Sequence, residues 1–266
     1  LKGKILASLF YEPSTRTRLS FESAMLKLGG SVIGTENAKE FSSAAKGEIL
    51  EDTIRIIDNY ADVIILRHSE DGAAEKASLY SKVPVINAGD GKGQHPTQTL
   101  LDLYTINKEL GKIDGIKIAI IGDLANGRTV RSLAYALSKF NNVEMIFVSP
   151  ESLKIKEDIK EHLIEHKIKF SEQGSLEEVL PYIDIAYMTR IQRERMSQEE
   201  YESAKGKYVI NEKNLNLMKK EARLMHPLPH VEEIDFSSEI EEKDKRVAYF
   251  RQAENGLYVR MALLEH

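Results

Sequence analysis

The 266-residue sequence contains no cysteine. Disulfides, thiolate metal sites and cysteine nucleophiles are excluded together, and the absence fits a reducing compartment. Nor is there an excess of positive charge: 37 Lys and Arg stand against 42 Asp and Glu, a formal charge of −5. Such a balance offers no electrostatic footprint for wrapping nucleic acid or adhering to an anionic membrane. The apolar runs, residues 63–66 and 118–121 among them, fall far short of the roughly 18 residues that a membrane span requires. A soluble, cytoplasmic chain acting on small molecules is the expectation. The hydrophobic share of 42% and charged share of 30% are an ordinary globular balance. Domains usually run about 100–200 residues, so the length suits two modest domains. The chain opens on Leu1 rather than Met, directly before a strand-like run, which reads as a missing N-terminal piece.

What is present is an alternation of short β-rich runs with amphipathic stretches. Residues 5–10, 63–67 and 85–87 read as strands, each followed by a helical pattern over 17–28, 73–80 and 97–110. The pattern restarts after Gly111 and Gly115 with strands over 116–121, 143–148 and 183–188 and helices over 129–140 and 159–166. Strand then helix, repeated, predicts α/β architecture: two doubly wound parallel-sheet domains, with a ligand site in the crevice between them. The expected boundaries are 1–110 for the first domain and 111–248 for the second, with a helix over 249–266 packing back on the first. The charged tract over 232–245 alternates in sign and reads as a solvated loop or exposed helix.

Four polar clusters follow predicted strands. Pro13-Ser14-Thr15-Arg16-Thr17-Arg18 opens a helix, where backbone N–H groups without intrahelical partners, hydroxyls and a guanidinium form an anion cradle. The plain alternative is a helix cap with solvated arginines. The stretch from Gly89 to Gln98 is a glycine-rich turn delivering His95, Pro96 and Gln98 to the start of another helix. Arg67 ends an apolar strand, and Gly127-Arg128-Thr129 follows another. Four clusters on strand ends point to one anionic ligand. Rival nucleotide motifs fail: the turn over 122–127 lacks G-x-G-x-x-G spacing, and G-x-x-x-x-G-K-[ST] is absent. No metal-ligand spacing of His, Asp or Glu is read, and no metal site is expected.

With these residues in place, the sequence resembles the aspartate/ornithine carbamoyltransferase family across nearly its whole length. Ser14-Thr15-Arg16-Thr17-Arg18 and His95-Pro96-Thr97-Gln98 are similar to the two carbamoyl-phosphate signatures of that family. The segment from Met188 to Arg195 and His226-Pro227-Leu228-Pro229 resemble amino-acid-binding segments of its aspartate branch. The ornithine branch carries His-Cys-Leu-Pro at the latter place, so the missing cysteine discriminates. Charge logic agrees, since a dicarboxylate needs cations such as Arg128 and Arg190. Two departures are visible: His230 stands where the family usually has Arg, and Ala125-Asn126 where Lys-Tyr is common. By the same comparison, an N-terminal helical segment is missing and the C-terminal helix is shortened.

The resemblance implies transfer of a carbamoyl group from carbamoyl phosphate to L-aspartate, giving N-carbamoyl-L-aspartate and phosphate, without a cofactor. It implies that Ser14, Thr15, Arg16 and Thr17 hold phosphate, that Arg67 bridges phosphate and carbonyl, and that Thr17, Arg67 and His95 polarise the carbonyl oxygen. Arg16, Thr17, Arg67 and His95 are thus the expected catalytic set. Gln98 and the Pro227 and Leu228 carbonyls would hold the carbamoyl NH₂, and Arg128, Arg190 and Gln192 the aspartate. Ser42 and Lys46, in a segment resembling the mobile loop of the family, would reach a neighbouring subunit's site, Lys46 also touching aspartate. A homotrimer with shared sites follows, with regulatory chains as possible partners.

Overall fold

The computed structural model describes residues 1–91, 94–192 and 198–266. The chain divides into two compact units, one formed by Leu1–Leu100 with Asn255–His266 and the other by Leu101–Glu254.

The first unit holds β1 (Ile5–Phe10), α1 (Thr15–Lys27), β2 (Ser31–Glu36), α2 (Ala38–Phe41), a 3₁₀ turn (Ser43–Lys46), α3 (Leu50–Ile57), β3 (Val63–His68), α4 (Ala73–Tyr80), β4 (Val85–Asp90) and the start of α5 (Pro96–Leu110). Its four strands are all parallel, in the order β2-β1-β3-β4. Alternation along β1 divides the core by face. Leu6 and Phe10 meet Phe21 and Met25 of α1. Ala7 and Leu9 meet Ile54 of α3 and Ala77 of α4 on the opposite face. Burial on both faces is why the strands read as continuous apolar runs.

The second unit continues with β5 (Lys117–Ile121), α6 (Arg128–Leu137), β6 (Glu144–Val148), α7 (Glu157–Glu165), β7 (Lys169–Gln173), α8 (Leu176–Val179), β8 (Ile185–Met188), α9 (Gln198–Ala204), β9 (Ile210–Asn211), α10 (Glu212–Leu217), β10 (Arg223–Met225), β11 (Ile234–Asp235), α11 (Ser238–Lys243) and α12 (Tyr249–Glu265). Its main sheet is parallel with the order β10-β8-β5-β6-β7. Leu133 and Leu137 of α6 and Ile159 and Leu163 of α7 cover one face. Leu176, Val179 and Leu215 cover the other.

The sequence reading put the domain boundary at the glycines near residue 111. The compact units divide within α5, between Leu100 and Leu101, and again within α12, between Glu254 and Asn255. The physical reason is that Asp102 and Ile106 of α5 are already buried among second-unit residues. At the other end, Leu263 and Leu264 of α12 pack on the Leu6–Phe21 core of the first unit.

Candidate functional site

In an open parallel sheet, ligands bind beyond the carboxyl ends of strands at the point where the strand order reverses. In the first unit that point lies between β1 and β3. Phe10 is paired with Arg67, and the Tyr11 N–H donates to the Arg67 carbonyl at 2.9 Å. The chain leaving β1 therefore enters the Ser14–Arg18 turn beside Arg67. Ser14 is the N-cap of α1, yet its hydroxyl makes no capping hydrogen bond, so the first-turn amides keep free donor capacity.

Arg16 and Arg18 differ in their partners. Arg18 is held by Glu22 at 3.3 Å and Glu36 at 2.9 Å. Arg16 has no carboxylate partner among the described residues. Partial burial of its guanidinium lowers its pKa, although the side chain as a whole remains open to solvent. Thr17 is buried.

Gly89 and the residues around it bring Arg67 and His95 together. A Cβ on Gly89, whose φ is +116°, would lie 3.0 Å from Nη1 of Arg67 and 3.6 Å from Cδ2 of His95. Only glycine adopts this backbone without strain and leaves both side chains room. Arg67 donates from Nη1 to the Ala88 carbonyl at 3.3 Å and pairs through Nη2 with Glu12 at 3.0 Å. Glu12 was missed in the sequence reading, although it directly precedes Pro13 and sits at the same strand end. Gln98 lies in the first turn of α5, where its N–H donates to the His95 carbonyl at 3.1 Å. Lys92 and Gly93 of the glycine-rich turn lie outside the described residues.

Ser42 caps the 3₁₀ turn, accepting from the Ala44 N–H at 3.1 Å and donating to the Ala38 carbonyl. Lys46, the last residue of that turn, is exposed.

In the second unit the strand order reverses between β5 and β8. Gly122 allows these strand ends to approach closely, since a Cβ there would meet the Thr189 carbonyl oxygen at 2.1 Å. Arg128 opens α6 after β5, and Arg190 and Gln192 follow β8. Asp123, fully buried, holds the two segments together. It accepts from the Asn126 N–H at 3.0 Å and from the Gln192 N–H at 3.4 Å. Arg193, Glu194 and Arg195 lie outside the described residues.

Pro227 and Leu228 follow β10, next to β8 in the sheet. Leu228 has φ of 55°, uncommon for a residue with a side chain, and a buried polar chain holds it. Its N–H donates to Nδ1 of His226 at 2.8 Å, which places the proton of a neutral imidazole on Nε2, 2.9 Å from Glu233. The His226 N–H donates to Gln252, and Gln252 and Tyr187 donate to Asp102 at 2.7 and 2.8 Å. Burial raises the Tyr187 phenol far above its ordinary value, and Asp102 adds to the effect. Burial would also raise the Glu233 carboxyl, but His226 and backbone donors outweigh it, and its pKa is lowered. The sequence reading placed Glu233 in a solvated tract. It is instead 4% exposed, an exception that sign alternation does not reveal. His230 packs against Tyr249 and lies 3.3 Å from Glu241.

The sequence reading found no metal-ligand spacing, yet His162, Glu165 and His166 recur at i, i+3 and i+4 on and just after α7, with one donor atom from each within 4.8 Å of the others.

Two parallel units, each with cationic side chains gathered where its strand order reverses, define an α/β protein built to hold small anionic ligands. Family models agree in detail. The carbamoyl-phosphate-binding domain of aspartate/ornithine carbamoyltransferases matches residues 1–108, and the Asp/Orn-binding domain of that family matches residues 114–266. The chain belongs to the aspartate/ornithine carbamoyltransferase family.

It is 58% identical to the chloroplastic aspartate carbamoyltransferase of Arabidopsis thaliana, over all of this chain and 68% of the plant protein. It is 57% identical to the aspartate carbamoyltransferase catalytic subunit of Methanocaldococcus jannaschii, over all of this chain and 85% of the archaeal one. The crystal structure of that archaeal subunit superposes with a TM-score of 0.92, at 56% identity, covering 100% of this chain and 85% of the other. Aspartate transcarbamoylase from Trypanosoma cruzi, in complex with N-(phosphonacetyl)-L-aspartic acid, gives a TM-score of 0.91 at 40% identity, covering 99% and 83% of the two chains.

Proposed function

We infer that this chain is an aspartate carbamoyltransferase, transferring the carbamoyl group of carbamoyl phosphate to L-aspartate in pyrimidine biosynthesis. The observation that carries the residue roles is the meeting of Arg67 and His95 over Gly89, at the strand end that also presents Arg16 and Thr17. Ser14, Thr15, Arg16 and Thr17 hold the phosphate. Arg67 spans phosphate and carbonyl, and with Thr17 and His95 it faces the oxygen on which charge develops. Arg67 exchanges its contact with Glu12 for the substrate. Gln98 and the Pro227 and Leu228 carbonyls accept from the carbamoyl NH₂, a group that only donates. Arg128, Arg190 and Gln192 hold the two carboxylates of aspartate, as bidentate guanidinium pairing suits.

The amine of aspartate attacks the carbamoyl carbon, a C–N bond forms, and the C–O bond to phosphate breaks. The leaving phosphate takes the amine proton, so positioning rather than a protein base supplies much of the acceleration.

Ser42 and Lys46 sit in an exposed turn, which supports a role in the site of a neighbouring subunit and hence a homotrimer with shared sites. Regulatory chains are further candidate partners. No helix among the described residues is long and apolar enough to cross a membrane. A cytoplasmic location remains our proposal beside plant relatives that are chloroplastic.

Incubation with carbamoyl phosphate and either aspartate or ornithine, read by ureido product, tests the activity. Turnover with aspartate is expected. Turnover with ornithine alone, or carbamoyl-phosphate binding without turnover, overturns it. Mixing inactive Lys46→Ala and Arg16→Ala chains should restore activity if sites are shared, and absence of rescue counts against the trimer.

A further inference from the structure

We propose that His162, Glu165 and His166 form a binding site for a divalent transition ion, of which Zn²⁺ is the reference, on the α6–α7 face of the second unit. One donor atom from each residue lies within 4.8 Å of the other two, and the two imidazole rings lie 4.0 Å apart, so side-chain rotation brings all three within reach of one ion. The hydrogen bonds around both rings fix their tautomers in the form a metal needs. Ser138 has a single hydroxyl proton, which it gives to the Tyr135 carbonyl at 2.8 Å. Its oxygen therefore accepts from Nε2–H of His162, 2.9 Å away, leaving Nδ1 of that ring with a lone pair. Nδ1 of His166 lies 2.8 Å from the His162 carbonyl, which only accepts, so Nε2 of His166 carries the other lone pair.

Each imidazole thus has its second nitrogen held by an oxygen acceptor, the arrangement that orients metal-bound histidines. His162 is further fixed by edge contact with Tyr135, with ring centroids 4.3 Å apart. Two imidazoles and a carboxylate suit Zn²⁺, Ni²⁺ or Cu²⁺ better than Mg²⁺, with water completing the coordination.

Titration of the full chain, without an added affinity tag, with Zn²⁺ and with Co²⁺ tests the site. One equivalent is expected to bind, with visible absorption from bound cobalt and a rise in thermal midpoint with zinc. His166→Ala changes an exposed residue and should fold normally, yet lose at least about tenfold in affinity together with the thermal shift. Ser138→Ala removes the acceptor that orients His162 and should weaken binding by about tenfold. Carbamoyl transfer is expected to stay unchanged in both variants. No zinc bound at millimolar concentration overturns the proposal. So does equal affinity in the parent and His166→Ala, which would place the ion on other histidines such as His68 or His266.

Discussion

Arg16 and Arg18 stand two positions apart in one helical turn, and their surroundings separate their roles. Arg18 is one-quarter exposed and joins Glu22 and Glu36, so its charge is already compensated. Replacing it with Ala is expected to cost about 1 kcal/mol of stability, the upper range for partly exposed ion pairs, with a smaller effect on turnover. Arg16 has no such partner among the described residues, and Arg16→Ala should leave stability within about 0.5 kcal/mol. It should lower kcat/KM by about a hundredfold or more, as for loss of one donor to a developing charge. Urea unfolding and ureido-product kinetics on both variants separate the two effects. Equal catalytic losses would mean that carboxylate pairing does not separate the roles of the two arginines.

At the scale of elements, the segment after β10 keeps its conformation through groups distant in sequence. Gln252 on α12 accepts from the His226 N–H and donates to Asp102 on α5. Gln252→Leu keeps much of the volume but removes the acceptor of the buried His226 N–H and one donor to Asp102, which still accepts from Tyr187. At about 1–3 kcal/mol for a buried group deprived of a partner, a loss of about 1–3 kcal/mol is expected. If the His226–Leu228 segment also shifts, the KM for carbamoyl phosphate should rise, because the Leu228 carbonyl is assigned to the carbamoyl NH₂. Unfolding midpoints and initial rates check both parts.

Glu109 supplies the other tie, accepting from Arg223 on β10 and Arg251 on α12 at 2.7 Å each. Burial alone would raise the Glu109 carboxyl, but the two arginines outweigh it, and its pKa is lowered. A lowered carboxyl adds stability above its unfolded value of about 4.3, and that contribution is lost as pH falls through the lower folded value. Urea midpoints should therefore drop between about pH 5 and pH 3. Glu109→Gln should drop less steeply across that window, and an unchanged slope would remove Glu109 from the explanation.

These ties also mark the limit of what the sequence made legible. The strand-helix alternation could be read because strands buried on both faces must be apolar throughout, as residues 118–121 are. The polar strand-end clusters stood out because solvent-facing turns seldom gather so many like donors. Asp102, Gln252 and Glu233 gave no signal. Each is one polar residue within a helix or charged tract, and its partner is fixed only by packing. His162 and His166 did carry a readable i, i+4 spacing, but the acceptors that set their tautomers, the Ser138 hydroxyl at the end of α6 and the His162 carbonyl of α7 itself, are placed only by the folded backbone.

On the scale of the whole molecule, net charge was a poor guide to the ligand. A formal charge of −5 is compatible with the proposed anion site because Arg16, Arg67, Arg128 and Arg190 stand at or just after strand ends, where local cations act over distances that overall charge does not govern. The order of the chain matters more. The second unit is one continuous stretch, Leu101–Glu254, whereas the first is completed only by Asn255–His266. Leu263 and Leu264 pack on the core of Leu6, Phe10, Phe21 and Met25, and the Arg260 guanidinium lies 5.1 Å over the Phe21 ring. Burying each leucine contributes about 1.5–3 kcal/mol at most, and the cation–π contact about 0.5–1 kcal/mol. A chain ending at Glu254 should therefore lose up to about 3–7 kcal/mol from the first unit, with little direct loss from the second. Two units of unequal stability are not a two-state system, so hydrogen exchange resolved by segment is the suitable measurement. Amides of β1, β3 and β4 should lose protection in the shortened chain while those of β5, β6 and β8 keep theirs. Uniform loss across both sheets would mean that the C-terminal segment supports the whole chain rather than the first unit.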